Sequence, residues 1–283
     1  MLSLSEGAAH NSFYIQRDIT SWYQDGSLWD RIAGRNGYER FEGIFPGSYF
    51  SMSRPITAPG SSAGGSATLL ITSCNLYGGA GLLDNGEIVD IDHGIYYTIP
   101  RDLCHITVCP YFNFGEAKMN DTDTTVGGYW GSKMNQEILG LPTTTGDIGG
   151  TINQQLYAEF GNHLIAWKDR FTTDMNPDLP NRIADNNDLG ATSGFSWKLH
   201  QTKLLSEIEV YGSIVFSSSG FDTGCSNYRF PTFSHSRNIL QRQNFWLRDA
   251  ASSTKFCFVQ NLGTNGIRGA SNIFKVKPSF VLA

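Results

Sequence analysis

The five cysteines are the first residues to consider for reactive chemistry. Cys104 and Cys109 have four residues between them, a spacing that a reactive dithiol or a copper site could use. In an extended strand, residues an odd number of positions apart face opposite sides, so these two thiols should point away from each other. The full set forms neither a zinc-type pair of pairs nor a secreted disulfide framework. We therefore expect buried, reduced thiols that act as small apolar side chains, at Cys74, Cys104, Cys109, Cys225 and Cys257.

An acidic cluster at residues 90–93 is the best candidate for acid–base work. Asp90, Asp92 and His93 lie within four positions, which is the combination that proton transfer uses. No nucleophile stands beside them. The pattern therefore favours a hydrogen-bonded turn at the end of a strand.

Two polar segments resemble calcium-binding turns only in part. Residues 185–190 begin like such a loop, but Leu189 and Ser196 stand where its fifth and twelfth positions need oxygen ligands. Asp121 and Asp123 also lie in a polar turn. We interpret both segments as hydrogen-bonded surface turns and predict no catalytic metal.

The remaining motifs of enzymes are missing from the sequence. The six histidines are dispersed without a His-x-His or His-x-x-x-His pair, and there is neither a Walker-type glycine loop nor a dinucleotide fingerprint. The sequence offers no catalytic constellation. It predicts a protein that is not an enzyme and has no cofactor.

Composition limits the class of protein. The chain of 283 residues is 40% hydrophobic, 17% charged and 13% aromatic, with 31 glycines, which is typical of a loop-rich β protein of one large domain, with or without an appendage. The net charge of −5 and the lack of a basic stripe argue against a nucleic-acid ligand. No stretch approaches the roughly 20 apolar residues of a membrane span, and residues 1–10 do not look like a secretory signal. We expect synthesis in a cytoplasm.

Local patterns predict an α+β fold with short strands and long loops. Residues 49–52 and 67–72 are strand candidates, and residues 59–65 between them have a loop composition. Alternation favours two further strands, at 87–92 and 104–109. Apolar spacing favours helices at 130–139 and 152–160. Residues 172–194 are almost wholly polar and predict a long surface loop, and 204–216 returns to strand or helix-to-strand character.

Residues 1–45 differ from the rest of the chain. The run 27–34 predicts two helical turns, with Ser27 as N-cap and Gly34 as the C-terminal stop. So short a helix needs a partner surface. We interpret 1–45 as an arm that docks through Trp22, Trp29 and Phe41. The alternative is a first lobe of the same domain.

Three blocks, in their order and spacing, carry a resemblance to a known family. They are LLSEIEVYGS at 204–213, NFWLRD at 244–249 and VKPSF at 276–280, with GGYWGSKM at 127–134 and FPGSYF at 45–50 upstream. The chain resembles uncharacterised C-type-lectin-like domains of tailed phages and gut bacteria, which are related in fold to formylglycine-generating enzymes. The resemblance covers residues 46–283, with its characteristic region at 204–283, and implies a C-type-lectin-like domain.

The blocks supply candidate structural residues. Trp246 and Leu247 should fill the core, while Arg248 with Asp249 should hold neighbouring loops in place by charged hydrogen bonds. Glu207 and Glu209 should supply the other half of these contacts. The family usually ends in Gly-Val-Arg-Pro, whereas this chain has Lys277 in the place of the arginine. Lysine keeps the charge but lacks the planar fork of arginine.

Polar and aromatic residues between the blocks predict a binding face. Their composition is like that of antibody loops held on a rigid frame. The candidates are Tyr228, Arg229, His235, Arg237, Asn238, Lys255, Phe256, Gln260, Asn261, Asn265, Arg268 and Asn272.

The resemblance implies a structural protein of the virion, such as a head decoration, a head fibre or a tail-associated adhesin. Its expected partners are other virion proteins and a host surface glycan or protein. Analogy with phage appendages suggests a homo-oligomer, for instance a trimer. Two alternatives stay open: a purely structural capsid or tail cement protein, and an oxidase of the formylglycine-generating type.

Overall fold

The computed structural model describes residues 9–77, 99, 103–180, 189–218, 229–235 and 242–283. The fold in these ranges is mixed α+β, with short helices and many strands. The strands are β1 (Tyr49–Ser51), β2 (Thr68–Cys74), β3 (Ile106–Pro110), β4 (Glu116–Ala117), β5 (Leu164–Ile165), β6 (Trp167–Pro180), β7 (Leu189–His200), β8 (Thr202–Leu204), β9 (Phe245–Ala250), β10 (Lys255–Val259), β11 (Asn265–Gly269), β12 (Phe274–Lys275) and β13 (Pro278–Leu282).

Two multi-stranded sheets and one hairpin organise these strands. The first sheet has the order β1-β2-β3-β13-β5, and β8 also pairs with β13. Its β13 strand is buried along its whole length and runs antiparallel to β3, β5 and β8. The second sheet has the order β11-β10-β9-β12-β4. The carboxy-terminal residues therefore lie at the centre of the first sheet, next to the strand that leads into residues 204–213.

Strands β6 and β7 form a separate two-stranded hairpin, so the surface loop predicted at 172–194 is wrong for residues 172–180 and 189–194, and residues 181–188 lie outside the described part of the chain. Trp167, Phe171 and Met175 are buried on its inner side, whereas the last four residues of β6 are exposed. Pairing of the two backbones satisfies the hydrogen-bonding groups that face the partner strand. A strand with one face towards solvent can therefore carry the polar composition of a loop.

The helices are α1 (Thr20–Gln24), α2 (Ser27–Ala33), α3 (Ile152–Phe160) and α4 (Glu207–Tyr211). Helix α3 confirms the predicted helix at 152–160, and Thr151 with Gln154 forms its capping box. Only Met134–Leu139 of the predicted helix 130–139 is helical, as a π-helix. None of the helices in the described ranges is long and apolar enough to cross a membrane.

The ends of α2 test the predicted capping residues. Gly34 at φ 67° confirms the glycine stop, but Ser27 is not the N-cap. Gly26 holds that position at φ 82°, and the carboxylate of Asp25 accepts the backbone N–H of Ser27 at 2.8 Å. A glycine at positive φ lets the chain turn sharply out of α1 without steric cost.

The core runs across residues 45 and 46 without a break. Leu28, Ile32 and Phe41 are buried in the same cluster as Phe50 and Phe280. Trp22 and Trp29 are partly buried against this cluster. The packing supports the alternative of a first lobe of the same domain.

The docking role predicted for Phe41 is contradicted by its burial. Its side chain has no exposed surface, so it cannot reach a partner while the lobe is folded. Trp29 stacks on His163 with ring centroids 3.8 Å apart, and the guanidinium of Arg31 lies 4.0 Å from the ring of Trp22. Both indoles therefore already have intramolecular partners.

The described cysteines agree with the predicted state. Cys74, Cys104, Cys109 and Cys257 are buried and form no disulfide, and Cys225 lies outside the described residues. Cys104 packs in one hydrophobic cluster and Cys109 in the other. This confirms that the two thiols face different sides of the sheet. Burial raises the pKa of the Cys109 thiol.

Candidate functional site

A fully buried ionic network includes one residue from the sequence block at 204–213 and one from the block at 244–249. Lys203 Nζ lies 2.5 Å from Asp169 Oδ2 and 2.8 Å from Glu209 Oε1. Arg248 adds contacts of 3.3 Å to Asp169 and 4.0 Å to Glu209. These four side chains are at most 1% exposed. They join strands β6, β8 and β9 to helix α4, and their two positive and two negative charges balance.

Asp169, Lys203 and Arg248 stay charged despite their burial. Burial alone raises the pKa of Asp169, but the charges of Lys203 and Arg248 bring it well below its usual range. Burial lowers the pKa of Lys203, but the charges of Asp169 and Glu209 raise it above its ordinary value. His200, whose ring lies 4.0 Å from that of Trp167, has its pKa lowered well below the ordinary value by burial. The network has a structural role, because its side chains link four elements of the fold and have no contact with solvent.

A second set of buried contacts fixes the loop after α4. The carboxylate of Glu207 accepts the backbone N–H groups of Val215 at 2.9 Å, Phe216 at 2.9 Å and Ser217 at 3.0 Å. Asp249 Oδ2 accepts the backbone N–H of Glu207 at 2.8 Å. These contacts agree with the pinning role predicted for Glu207, Arg248 and Asp249.

The remaining motif residues are also buried. The indole N–H of Trp246 donates to the carbonyl of Ala117 at 3.0 Å, and Leu247 packs in the second hydrophobic cluster. Lys277 Nζ donates to three successive backbone carbonyls, of residues 110, 111 and 112, at 2.7, 3.0 and 3.1 Å. Three successive carbonyls suit a compact ammonium with three donors.

The structure does not bring the predicted binding residues into one cluster. Gln260, Asn261 and Asn265 lie at the turn between β10 and β11. Lys255 and Arg268 lie at the opposite end of the same hairpin. Asn272 is exposed just beyond β11. The predicted face is therefore at least two separate polar patches.

Several of the predicted binding residues are engaged inside the protein. Phe256 is fully buried, so its predicted ligand contact is wrong, because inward strand positions of β10 pack in the core. The side-chain amide of Asn265 donates to Glu207, and the guanidinium of Arg229 donates to the carbonyl of Val210.

The other predicted positions are exposed or undescribed. His235 is exposed and stacks on Tyr14, with ring centroids 3.8 Å apart. Tyr228, Arg237 and Asn238 lie outside the described residues, as does the acidic cluster at 90–93.

A surface cleft that the sequence did not indicate lies at the edge of the second sheet. Its volume is about 300 Å³, and it is bordered by the loop 59–62, strand β4 and the π-helix. Its wall contains charged and apolar side chains together: Glu116, Lys118, Asp121, Lys133, Ile138 and Ile273. π-Helical turns are frequently found at functional sites, and this one contributes Ile138 to the wall.

Hydrogen bonds within the wall hold the charged groups of the cleft. Lys275 Nζ donates to Glu116 Oε2 at 3.0 Å and Ser62 donates to Glu116 Oε1 at 3.1 Å, and these bonds lower the pKa of that carboxyl. Lys133 Nζ donates to both oxygens of Asp121, at 2.7 and 2.9 Å, and so lowers the pKa of Asp121. Both carboxylates are therefore ionised at neutral pH.

Sequence reasoning missed this cleft because its walls are distant in the chain. Loop 59–65 and the turn at Asp121 were each recognised as polar loops, but no local pattern links them. The same is true of Asp169 and Lys203 in the buried network. The available signal there was a charged residue at an inward position of an alternating strand, since Asp169 stands between Trp167 and Phe171 at every second position.

No group of three or more His, Cys, Asp or Glu side chains within the described ranges is placed to hold a metal ion. In comparisons with known proteins, no family model, no curated protein and no solved structure matches this chain. The resemblance to C-type-lectin-like phage domains accordingly stays a prediction.

Proposed function

We propose that this chain is a non-enzymatic structural protein of a tailed-phage virion that presents a C-type-lectin-like surface to a host glycan or protein. Head decoration, head fibre and tail-associated adhesin are the forms this role would take, with other virion proteins as further partners and a homo-oligomer as the assembled state. The observation that carries the proposal is the separation of a rigid buried frame from exposed polar loops.

Contacts among the three sequence blocks support the idea of a rigid buried frame. The backbone N–H of Arg248 donates to the carbonyl of Leu205 at 2.9 Å, which joins the second block to the first. Leu204 pairs with Pro278, which joins the first block to the third. Sequence blocks that are far apart in the chain thus contact each other in the folded protein, as expected for the defining elements of a fold.

The exposed polar groups lie on the β10–β11 hairpin that this frame holds. Asn261, Arg268 and Asn272 are exposed, and Gln260 is partly exposed. Polar loops on a rigid support bind with little loss of conformational freedom. No buried catalytic geometry is needed for such a role.

Binding of labelled protein to intact candidate host cells tests the proposal. The matched variant changes Gln260, Asn261, Arg268 and Asn272 to alanine. We expect the parent to bind and the variant to lose binding. The thermal midpoint should change little, because within the described part of the chain the variant loses only two side-chain hydrogen bonds near the surface, from Gln260 to the carbonyl of Asn265 and from Asn272 to the carbonyl of Gly269. Equal binding by both would refute the assignment of the binding face.

A control variant separates loss of this face from a general loss of surface polarity. It changes Arg35, Glu39 and Asn162, which are exposed and lie outside the hairpin, to alanine. It should bind cells as the parent does. A folded parent that binds none of the candidate hosts would contradict the adhesin role.

A second candidate function is that of a cement protein, and the outer face of the β6–β7 hairpin favours it. On this face Phe195 and Leu199 are 39% and 48% exposed, with Trp197 between them. Lys168 and Arg170 pair across from Leu199 and Trp197. Exposed apolar stripes of this kind mark contacts with other proteins.

The cement role predicts that the double variant Phe195→Ser, Leu199→Ser enters purified particles poorly. The control Val215→Ser, at a side chain 48% exposed elsewhere, should enter them normally. Normal incorporation of the hairpin variant would contradict an interface at this face.

A further inference from the structure

We propose that the cleft between loop 59–62, β4 and the π-helix binds an acidic saccharide, meaning a sugar ring that carries a single carboxylate. The inference rests on the proposed host-binding function and assigns the ligand to a different surface from the β10–β11 loops. It depends on charge, on hydrogen-bonding capacity and on the apolar part of the wall.

The balance of charge in the cleft favours a ligand with one negative charge. Lys133 and Lys275 are each bound to a carboxylate of the wall. Lys118 lines the same cleft and forms no ion pair or hydrogen bond with any residue in the described part of the chain, although its charge helps lower the pKa of Asp121. Its ammonium is therefore the available partner for a ligand carboxylate, through a charge-assisted hydrogen bond.

The two carboxylates argue against a phosphate-like polyanion. Glu116 and Asp121 are ionised and would repel a doubly charged ligand that offers only acceptors. Sugar hydroxyls both donate and accept. They can donate to these carboxylates and to the hydroxyl oxygen of Ser62, whose own hydrogen is donated to Glu116, so the mixed wall suits a polyhydroxyl ring.

The apolar residues complete the recognition. Ile273 is 55% exposed at the rim of the cleft, and Ile138 is nearly buried in its wall. The carbon–hydrogen face of a sugar ring can pack on such side chains while its hydroxyls face the polar wall. The volume of about 300 Å³ lies at the lower end of small-molecule sites, which are about 300–1,000 Å³.

The wall is preformed, which reduces the cost of binding. The side-chain amides of Asn135 and Gln136 both donate to the carbonyl of Trp130, at 3.0 and 2.6 Å, and so anchor the π-helix that carries Ile138. The backbone N–H of Lys133 donates to Asn120 Oδ1 at 2.9 Å. Groups already held in place lose little conformational freedom on binding.

Saturation-transfer NMR and calorimetry with the full chain test the proposal. The probes are glucuronate and N-acetylneuraminate as acidic sugars, glucose as the neutral sugar, and inorganic phosphate. We expect the two acidic sugars to bind, and glucose and phosphate to bind at least tenfold more weakly, since one hydrogen bond to a charged group is worth about that factor. Equal binding of glucose or of phosphate would overturn the ligand class.

Variants locate the binding in the cleft. Lys118→Gln and Ile273→Ser should each weaken acidic-sugar binding about tenfold or more. Lys168→Gln, on the β6–β7 hairpin, should leave it unchanged. Circular dichroism and thermal midpoints equal to those of the parent show that each variant is folded. Unchanged sugar binding by folded Lys118→Gln would overturn the site.

The same variants distinguish failure of this inference from failure of the proposed function. If no sugar binds but the parent still binds cells through the β10–β11 loops, the acidic-saccharide site is wrong and the adhesin role stands. If the sugars bind but no cell binding is found, the cleft assignment holds and the adhesin role fails.

Discussion

The substitution Lys203→Met tests the buried ionic network most directly. Methionine is close to lysine in length and is unbranched, so the main change is removal of one positive charge. Asp169 and Glu209 then remain buried with only Arg248 as a cation, at 3.3 and 4.0 Å. The buried net charge of the four groups changes from zero to minus one.

The expected cost is about 3–5 kcal/mol, the typical effect of removing one partner from a buried ion pair. A domain is usually stable by about 5–15 kcal/mol, so the variant should lose a large part of its folding free energy. Adding Glu209→Gln removes the unmatched negative charge. Because glutamine can also serve as the third residue of a capping box, α4 should keep its N-terminal hydrogen bond.

The assay is equilibrium unfolding in urea at neutral pH, followed by tryptophan fluorescence. The control Lys133→Met removes a lysine whose pair with Asp121 has side chains 34% and 70% exposed, and it should cost less than about 1 kcal/mol. The double variant should be more stable than the sum of its single effects predicts, by about 0.5–3 kcal/mol.

A loss below about 1 kcal/mol for Lys203→Met, similar to that of the surface control, would refute the reasoning. It would mean that Arg248 alone neutralises both carboxylates or that water reaches the network. Strict additivity of Lys203→Met and Glu209→Gln would refute the direct coupling of these two groups.

Three further predictions concern stability. Burial lowers the pKa of His105 to about 4, so on acidification the unfolded chain takes up a proton before the folded chain does. The free energy of unfolding should therefore fall by at most about 3 kcal/mol as the pH drops from about 6.5 to about 4. Urea unfolding across this range should show a smaller fall for His105→Gln, and an equal fall would contradict the prediction. Thr151→Ala removes the capping box of α3 and should cost about 1 kcal/mol in the same assay, whereas no cost would show that the cap is dispensable. At Gly128, which has φ 60°, an added Cβ would lie 2.4 Å from the carbonyl oxygen of Thr172. Gly128→Ala should therefore lower the thermal midpoint more than Gly37→Ala, because Gly37 also has a positive φ but has open space around it. Equal effects would argue against the clash.

Local patterns in the sequence were sufficient for several elements. Strands β1 and β2, helix α3 and the glycine stop of α2 lie where strand-type composition, apolar spacing and capping residues predicted them. These signals depend on neighbours within a few positions of the chain. They can be read without knowledge of the partner that each element packs against.

Elements whose form depends on distant partners were misread. The polar composition at 172–194 predicted a loop, but backbone pairing between β6 and β7 makes a hairpin there. The predicted docking anchor Phe41 is instead buried in the core, because the first lobe folds onto the main sheet. Burial of an aromatic side chain and exposure of the same side chain for docking give identical local patterns.

The sequence by itself was sufficient to identify the charged residues of the three blocks, to predict buried cysteines that act as small apolar side chains, and to identify the polar composition of the later loops. Only the tertiary structure decided that Glu207 binds three backbone N–H groups, that Lys203 and Asp169 complete the network, and that Phe256 points inward. It also brought Lys118 and Ile273 into one cleft. The physical reason is that burial and ion pairing depend on groups that can be distant in the chain, as Asp169 and Lys203 are at 34 positions, whereas turns, caps and periodicity are set by residues within a few positions of each other.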